Sequence, residues 1–356
     1  MINNFYKNKR ILVTGATGFK GAWLCYWLKI LGAKVYGTGN NPNKNKNLFY
    51  SLKLDKKIKL SLFDIREKKK LSSFIKLAKP QIIFHLAAQP LILEGYQKPH
   101  FTYDVNSFGT LNILEETRKN KNIKALICIT SDKCYASNNS TVGFKENDRL
   151  GGSDPYSGSK ACAEIIINSY IKSFFAKEVS PRGIASARAG NVIGGGDWSP
   201  NRLIPDTVLS ILKNKKIFIR NPNFNRPWQH VLEPLYGYLI LGEKLFKNPK
   251  IFSGPWNFGT KKNTVTNVLE IVREIVRVWG KGTIKFKKQN KYYEQVNLQL
   301  NINKSIKYLK WAPKYSIRKS IKVTTEWYKK VLVNKTSIEA ITALQIKDYM
   351  DASKKN

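Results

Sequence analysis

The chain has 356 residues, a formal net charge of +38 and 42% hydrophobic residues, which indicates a folded globular protein and excludes a disordered one. Its four cysteines form no C-x-x-C pair, and no segment reaches the roughly 18 apolar residues of a membrane span, so we expect neither a metal site, a disulfide framework nor a transmembrane helix. These features predict a cytoplasmic protein.

The chain has 62 Lys and Arg residues but only 24 Asp and Glu residues, and this positive charge could favour nucleic acid or another polyanion as a partner. The lysines are spread along the chain, together with Asn and Ile, and form no single basic arm. We therefore interpret the charge as a composition bias that gives a diffuse basic surface, with no specific nucleic-acid or membrane partner.

Short apolar segments alternate with helical ones over the first half of the chain, beginning with RILVTG, WLCYWLKILG and KVYGTG. Such alternation predicts βαβ units and an α/β fold with a Rossmann-type doubly wound parallel sheet. After residue 190, loops containing Gly and Pro separate shorter elements. We predict a dinucleotide-binding domain at 1–190, rejoined by a segment at about 226–250, and a smaller mixed α/β lobe within 191–356.

The segment VTGATGFKG places Gly15, Gly18 and Gly21 between the first strand and the first helix. Glycines allow a tight turn and a close backbone approach, and the helix N-terminus offers free N–H groups to a pyrophosphate. The spacing G-x-x-G-x-x-G is typical of short-chain dehydrogenases. The sequence therefore predicts a nicotinamide dinucleotide site.

The end of the second strand carries Asn40 and Asn41 where an acidic residue would select NAD, with Lys44 and Lys46 close by. Asn can bind a ribose hydroxyl but does not repel a 2′-phosphate, so NAD is expected and NADP stays open. LFDIR and HLAAQP end the next two strands and are expected to flank the cofactor.

Tyr156 and Lys160 lie four residues apart at the start of a helix, on one face. A neighbouring ammonium favours the phenolate, so Tyr156 could take a hydroxyl proton, with Ser131 orienting the substrate. Together with the glycine loop, these three residues predict hydride-transfer chemistry.

Asp132 and Lys133 directly follow Ser131 at the end of an apolar strand and exceed what hydride transfer needs. A ketone acidifies the adjacent carbon, so an adjacent acid and base could eliminate water. Lys133 would have to be partly neutral, which burial and crowding by Lys160 would promote. A surface ion pair between Asp132 and Lys133 is the alternative.

The chain resembles the extended short-chain dehydrogenases/reductases almost end to end, and within them the CDP-glucose 4,6-dehydratases of bacterial deoxysugar biosynthesis. The segments that carry the resemblance are GATGFKGAWL, FHLAAQPL, TSDKCY, GGSDPYSGSKACAE, SARAGNVIGGGDW, NRLIPD, IRNPNFNRPWQHVLEPLYGYL and WNFG. In the related dTDP-glucose enzymes the strand ends Thr-Asp-Glu, with the Glu as base. The resemblance implies oxidation at C4, loss of water across C5 and C6, and hydride return to C6.

The motifs and the resemblance together assign the site residues. The expected catalytic residues are Ser131, Asp132, Lys133, Tyr156 and Lys160. The expected cofactor contacts are Gly15, Thr17, Gly18, Phe19, Lys20, Gly21, Asn41, Asp64, Ile65, Leu86, Ala87, Ala88, Gln89, Asn106, Tyr156 and Lys160. The expected sugar-nucleotide contacts are Gln89, Ser131, Asn191, Arg202, Leu203, Ile204, Arg226 and His230.

The resemblance places Asn191 near the diphosphate, residues 201–205 over the base and Arg226 on phosphate. Arg188, Arg202 and Arg220 could equally be ordinary surface charges, and His230 could be a packed histidine. A homodimer or homotetramer is expected.

Two other functions stay open on the sequence. One is dehydration or epimerisation of another nucleotide hexose, although Asp132 and Lys133 argue against simple epimerisation. The other is a dinucleotide-sensing protein that binds nucleic acid, which would not need the Ser131, Tyr156 and Lys160 set.

Overall fold

The computed structural model describes residues 4–42, 47–136, 143–219, 221–261, 266–286 and 298–354. The strands of these residues are β1 (Arg10–Thr14), β2 (Lys34–Gly39), β3 (Lys59–Leu62), β4 (Ile82–His85), β5 (Ala125–Ile129), β6 (Gly183–Ala189), β7 (Val192–Ile193), β8 (Ile217–Ile219), β9 (Asn225–Arg226), β10 (Gln229–His230), β11 (Gly254–Phe258), β12 (Thr266–Asn267) and β13 (Ile284–Phe286).

The α-helices are α1 (Phe19–Ile30), α2 (Leu48–Ser51), α3 (Leu54–Lys57), α4 (Lys68–Ala78), α5 (Ile92–Gln97), α6 (Pro99–Tyr103), α7 (Gly109–Lys119), α8 (Pro155–Ser173), α9 (Leu203–Leu212), α10 (Leu232–Lys247), α11 (Pro249–Phe252), α12 (Val268–Trp279), α13 (Ile317–Leu332) and α14 (Ile338–Lys354). Among the described residues, no helix is long and apolar enough to cross a membrane.

Seven strands form one sheet in the order β3-β2-β1-β4-β5-β6-β11, and every pairing is parallel. This confirms the predicted doubly wound α/β fold. The strand order reverses between β1 and β4, where the connections leave on opposite faces of the sheet. In open α/β sheets such a reversal opens a crevice at the carboxyl ends of the strands.

Apolar side chains cover both faces of the sheet because successive residues of a strand point to opposite sides. On β1, Ile11 and Val13 belong to the larger core cluster, whereas Leu12 belongs to the smaller one. Strands buried on both faces read as continuous apolar runs, which explains why RILVTG shows no alternation.

Later segments return to this sheet. Helix α10, inside the predicted returning segment, packs against β5 and β6. Strand β11 lies beyond that segment and pairs with β6 as the edge strand. The chain therefore crosses back to the sheet further along than the sequence indicated. The remaining strands form three two-stranded pairs, β7 with β10, β8 with β13, and β9 with β12.

A buried carboxylate ties helix α8 to two strands of the sheet. The carboxylate of Glu164 accepts hydrogen bonds from the hydroxyls of Thr130 and Ser186. It also pairs with Arg188, whose Nη2 lies 2.7 Å from Oε2. The pair is almost fully buried, with side chains 3% and 2% exposed. The position of α8 relative to the ends of β5 and β6 is therefore set by ionic contacts as well as by packing.

We expect Arg188→Met to lower the free energy of unfolding by about 3–5 kcal/mol, because it leaves the Glu164 carboxylate buried without its cation. Urea denaturation would measure this. The matched control is Lys322→Met, which removes an exposed pair with Glu326 and should cost less than about 1 kcal/mol. Equal losses in the two variants would contradict the assigned role.

Candidate active site

A cavity of about 1730 Å³ opens at the carboxyl ends of the central strands. Most of the residues predicted for the site line it: Gly15, Thr17, Gly18, Phe19, Lys20, Gly21, Asp64, Ile65, Leu86, Ala87, Ala88, Ser131, Asp132, Lys133, Tyr156, Lys160, Asn191, Arg202, Leu203, Ile204 and Arg226. The structure thus brings together the glycine loop, the strand end after β5, the start of α8 and the later lobe.

The glycine loop joins β1 to α1 and leaves no room for a side chain at Gly15 or Gly21. Gly15 has a φ of +68°, and a Cβ there would lie 2.7 Å from the backbone N of Ala87. A Cβ on Gly21 would lie 2.0 Å from the carbonyl oxygen of Gly15. No side chain caps the N-terminus of α1. Backbone amides at an uncapped helix N-terminus form a cradle for a pyrophosphate.

Asn40 and Pro42, which follow β2, and Asn47, which precedes α2, line the cavity. Asn41, predicted as a cofactor contact, is exposed and lies outside the lining. Lys44 and Lys46 lie outside the described residues.

After β3, Asp64 forms a two-pronged pair with Arg66, and its two oxygens each lie 3.0 Å from the guanidinium. The hydrogen bond from Arg66 holds the pKa of Asp64 below its usual range.

Ser131 and Asp132 follow β5 and share a hydrogen bond, in which the Ser131 hydroxyl donates to Asp132 Oδ1 at 3.0 Å. Asp132 is buried, and its Oδ2 has no hydrogen-bond partner among the described residues. Burial raises the pKa of Asp132, and the charges of Lys133, Arg226 and Lys20 oppose that rise. A carboxyl group with a raised pKa and a free oxygen can donate a proton inside the cavity.

Tyr156 lies in the first turn of α8, where the Asp154 side chain accepts a hydrogen bond from the N–H of Ser157. Burial raises the pKa of Tyr156 to about 12, while the hydrogen bond with Ser131 and the charge of Arg202 oppose this shift. The sequence predicts that the ammonium of Lys160 favours the phenolate, and this stays a prediction. The structure places Ser131 and Arg202 first among the groups that favour the phenolate.

Two amines of the cavity have lowered pKa values. Burial lowers the pKa of Lys160 to about 8, opposed by Glu164 one turn further along α8. Burial also lowers the pKa of Lys20 to about 8, assisted by the charges of Lys160 and Arg202. The charge of Lys160 thus acts on Lys20, and the same crowding at Lys133 stays a prediction. Lys133 lines the cavity beside Asp132.

Gln89 and Asn106, two of the predicted contacts, make hydrogen bonds within the protein and do not line the cavity. Gln89 uses its side chain within the protein, since Nε2 donates to Thr102 and Oε1 accepts from the N–H of Leu91. Asn106 is buried. Its Oδ1 accepts a hydrogen bond from the N–H of Gln89, and its Nδ2 donates to the carbonyl oxygen of Gln89. These two amides shape the loop after β4 and lie outside the cavity lining.

His230 is fully buried with its ring against Trp23 and Tyr315, and it too lies outside the cavity lining. Burial lowers its pKa to about 3. This is the packed histidine that the sequence left as the alternative.

The later lobe supplies cations to the cavity. Arg226 is buried and its charge lowers the pKa of Asp132, so it lies close to the catalytic strand end. Arg202 precedes α9 and pairs with Asp197 at 3.5 Å. Of the weaker candidates, Arg188 belongs to the buried pair with Glu164 and does not line the cavity, and Arg220 lies outside the described residues.

Sequence reasoning missed Gly95, which lets helix α5 approach the catalytic tyrosine. A Cβ on Gly95 would lie 3.2 Å from the backbone N of Tyr156, so α5 packs directly on the start of α8. A glycine inside the helical segment ILEGYQ was the available signal, because glycine within a helix often marks a close approach.

A sequence model of the family described as GDP-mannose 4,6 dehydratase matches residues 12–324. The chain is 40% identical over 354 residues to a CDP-glucose 4,6-dehydratase of Salmonella typhimurium, and the match covers 98% of each chain.

Among solved structures, a dTDP-glucose 4,6-dehydratase of Bacillus anthracis in complex with NAD superposes with a TM-score of 0.75 at 25% identity, covering 90% of this chain and 97% of that one. A UDP-glucose 4-epimerase of Thermotoga maritima shares the fold, with a TM-score of 0.77 at 21% identity and coverage of 90% and 99%.

We expect Lys20→Met to make the nucleotide-free protein more stable than the parent at pH 7, and the difference to shrink as the pH rises from about 8 to about 10.4. A lysine with a folded-state pKa of about 8 and an unfolded-state value near 10.4 binds its proton more weakly when folded, so its burial cost is fully present below pH 8 and disappears over this window.

Urea denaturation of both proteins from pH 7 to pH 10 would measure the difference. Lys29→Met, at an exposed position of the same helix, is the matched control. A difference that does not depend on pH, or that the control shares, would contradict the assignment.

Proposed function

The chain belongs to the family of nucleotide-sugar dehydratases that the GDP-mannose 4,6-dehydratase model describes, and on that basis we propose that it converts CDP-D-glucose to CDP-4-keto-6-deoxy-D-glucose. The observation that carries the proposal is the buried Asp132 carboxyl, which lies beside Ser131 and within the electrostatic reach of Tyr156. Tyr156, proposed for the oxidation, and Asp132, proposed for the elimination, then line the same cavity. The near end-to-end match to a CDP-glucose dehydratase supports the choice of sugar nucleotide.

NAD is the cofactor that the site fits. Gly15 and Gly21 leave a cradle that a Cβ would fill, and the uncapped α1 N-terminus suits a pyrophosphate. Ile65 and Asp64 would flank the adenosine end, and Leu86, Ala87 and Ala88 would line the nicotinamide side. When bound, NAD accepts a hydride from C4 of the sugar and later returns it to C6.

Tyr156 would take the proton of the C4 hydroxyl as C4 is oxidised. Its phenol hydrogen-bonds Ser131, and Arg202 favours the phenolate, so the required deprotonation is assisted from two sides. Lys160, whose pKa is about 8, lies one helical turn further and can hold or release a proton near neutral pH. Ser131 would orient the hydroxyl group that reacts.

The resulting ketone acidifies C5, and the next step eliminates water. We assign Lys133 as the group that removes the C5 proton and Asp132 as the acid that protonates the departing C6 hydroxyl. The free oxygen of Asp132 and its raised pKa suit this role. Hydride would then be restored to C6 and Lys133 would return its proton to C5, while the C4 hydroxyl proton taken by Tyr156 would replace the one that Asp132 gave up, so the net change is the loss of one water.

The proposal extends to the assembly and to the location of the protein. Large apolar side chains are exposed on and beside the α7 and α8 pair, including Phe108, Ile165 and Phe174. We propose that this face pairs two chains, and sedimentation at twice the chain mass of 40.7 kDa would support it. All four cysteines are free, which is consistent with a cytoplasmic enzyme. The sheet domain would bind NAD and the later lobe the sugar nucleotide.

We expect CDP-glucose to yield a 4-keto-6-deoxy sugar nucleotide, and dTDP-, UDP- and GDP-glucose to yield none, in incubations of the purified protein with and without added NAD. The measurement is the alkaline absorbance of the keto sugar. Keto sugar formed only from another nucleotide sugar would overturn the choice of cytosine as the nucleobase. A 4-epimer formed without keto sugar would overturn the proposed dehydration.

We expect Asp132→Asn to lower kcat by about 10²–10⁴-fold while C4 oxidation persists, because an amide cannot donate the carboxyl proton. Reduced nicotinamide should then accumulate during turnover. In Tyr156→Phe it should not accumulate, because oxidation itself fails. Asp55→Asn, at an exposed position of α3, is the control. Wild-type elimination in Asp132→Asn would contradict the role of Asp132.

A further inference from the structure

The segment GGGDW at 194–198 carries a buried acid that the reaction does not use. Asp197 lies on the cavity wall, yet the residue is only 4% exposed. A buried carboxylate is costly unless its oxygens have partners. The partners of Asp197 therefore indicate what it does.

The two carboxylate oxygens of Asp197 have different partners. Oδ1 accepts a hydrogen bond from the N–H of Ser199 at 3.1 Å, and this bond spans the turn at Trp198. Oδ2 lies 3.5 Å from Nη1 of Arg202. One oxygen thus shapes the loop, and the other faces the arginine that precedes α9.

The loop that carries Asp197 is held firmly by two helices. From α13, the Tyr328 hydroxyl donates to the carbonyl oxygen of Asp197 at 2.6 Å. The ring of Trp327 lies flat against Gly195, where a Cβ would come within 2.0 Å of it. From α1, Trp23 Nε1 donates to the carbonyl of Gly195 at 3.0 Å. The position of the Asp197 carboxylate is therefore fixed.

Arg202 is the more exposed partner of this pair. Its side chain is 35% exposed and lines the cavity, whereas that of Asp197 is 6% exposed. Its charge lowers the pKa values of both Tyr156 and Lys20, so the guanidinium lies within electrostatic reach of the catalytic groups. A guanidinium with one side held by a carboxylate still has N–H donors for phosphate oxygens.

We propose that Asp197 is a positioning residue for substrate binding, which holds Arg202 over the cavity so that its guanidinium binds the diphosphate of the sugar nucleotide. The inference rests on the proposed function for the identity of the substrate. Its geometric part, a fixed carboxylate that orients a cavity arginine for a diphosphate, does not depend on the nucleobase. Tyr328 contributes by fixing the backbone of Asp197.

The test is a double-mutant cycle on the NAD-saturated protein with Asp197→Asn, Arg202→Met and the double variant. Asn retains an oxygen for the N–H of Ser199, so the turn is preserved while the ionic hold on Arg202 is lost. Two readouts are used: KM and kcat with CDP-glucose, and calorimetric binding of inorganic pyrophosphate. NAD saturation keeps pyrophosphate away from the glycine loop.

Arg202→Met should raise KM and the pyrophosphate Kd about tenfold or more, the effect of losing a hydrogen bond to a charged group. Asp197→Asn should raise both about tenfold with kcat changed less than threefold, and the double variant should be no weaker than Arg202→Met alone. Losses that multiply in the double variant would overturn the inference, as would an unchanged KM and Kd in Asp197→Asn.

Tyr328→Phe, which removes the hydroxyl that donates to the carbonyl oxygens of Asp197 and Gly194, replaces Asp197→Asn in the cycle if that variant does not fold. It should weaken binding in the parent and have no effect in the Arg202→Met background. If CDP-glucose is not turned over, the proposed function fails, and the pyrophosphate arm still decides the role of Asp197.

Discussion

The geometry of the site depends on the buried contact between Glu164 of α8 and the ends of β5 and β6. Thr130 directly precedes Ser131, and Glu164 lies one turn after Lys160 on the helix that also carries Tyr156. A single carboxylate therefore holds the helix that carries Tyr156 and Lys160 against the strand end that carries Ser131 and Asp132. Its charge also supports the protonated form of Lys160 against burial. One interaction sets both the distance and the electrostatics of the reacting groups.

Cations cluster around Asp132 in the cavity, whose lining as a whole holds as many acidic as basic side chains. Lys133, Arg226 and Lys20 oppose the rise in the pKa of Asp132, and Lys160 and Arg202 in turn lower the pKa of Lys20. Such a field suits a substrate with a diphosphate and a dinucleotide cofactor, both of which bring negative charge. It also means that each cation affects the protonation of its neighbours, so the protonation states of Asp132 and Tyr156 are properties of the whole set.

Local patterns predicted the fold and a set of site residues, most of which line the cavity, because each pattern depends on neighbours in sequence. The glycine loop, Ser131 to Lys133, and Tyr156 with Lys160 each lie within one turn or one strand end. The positions of Gln89 and His230 outside the cavity lining have a different cause. Whether Gln89 faces the cavity depends on Thr102 and the N–H of Leu91, and the burial of His230 depends on Trp23 and Tyr315, which lie far along the chain. The structural roles of Glu164 and Asp197 could not be predicted from the sequence either, because several of their partners are brought close only by tertiary packing.

The late arrival of β11 in the sheet has a consequence for how the protein can be divided. Strand β6 is buried along its whole length, and its outer edge is covered by a strand that begins only at Gly254. A fragment ending near residue 190 would expose that edge as an unpaired, apolar template for self-association. We therefore expect the cofactor-binding half to aggregate when expressed alone. The two halves of the chain therefore depend on each other for folding. A chimera of two relatives should fold only where both halves, or the sheet together with β11, come from the same parent.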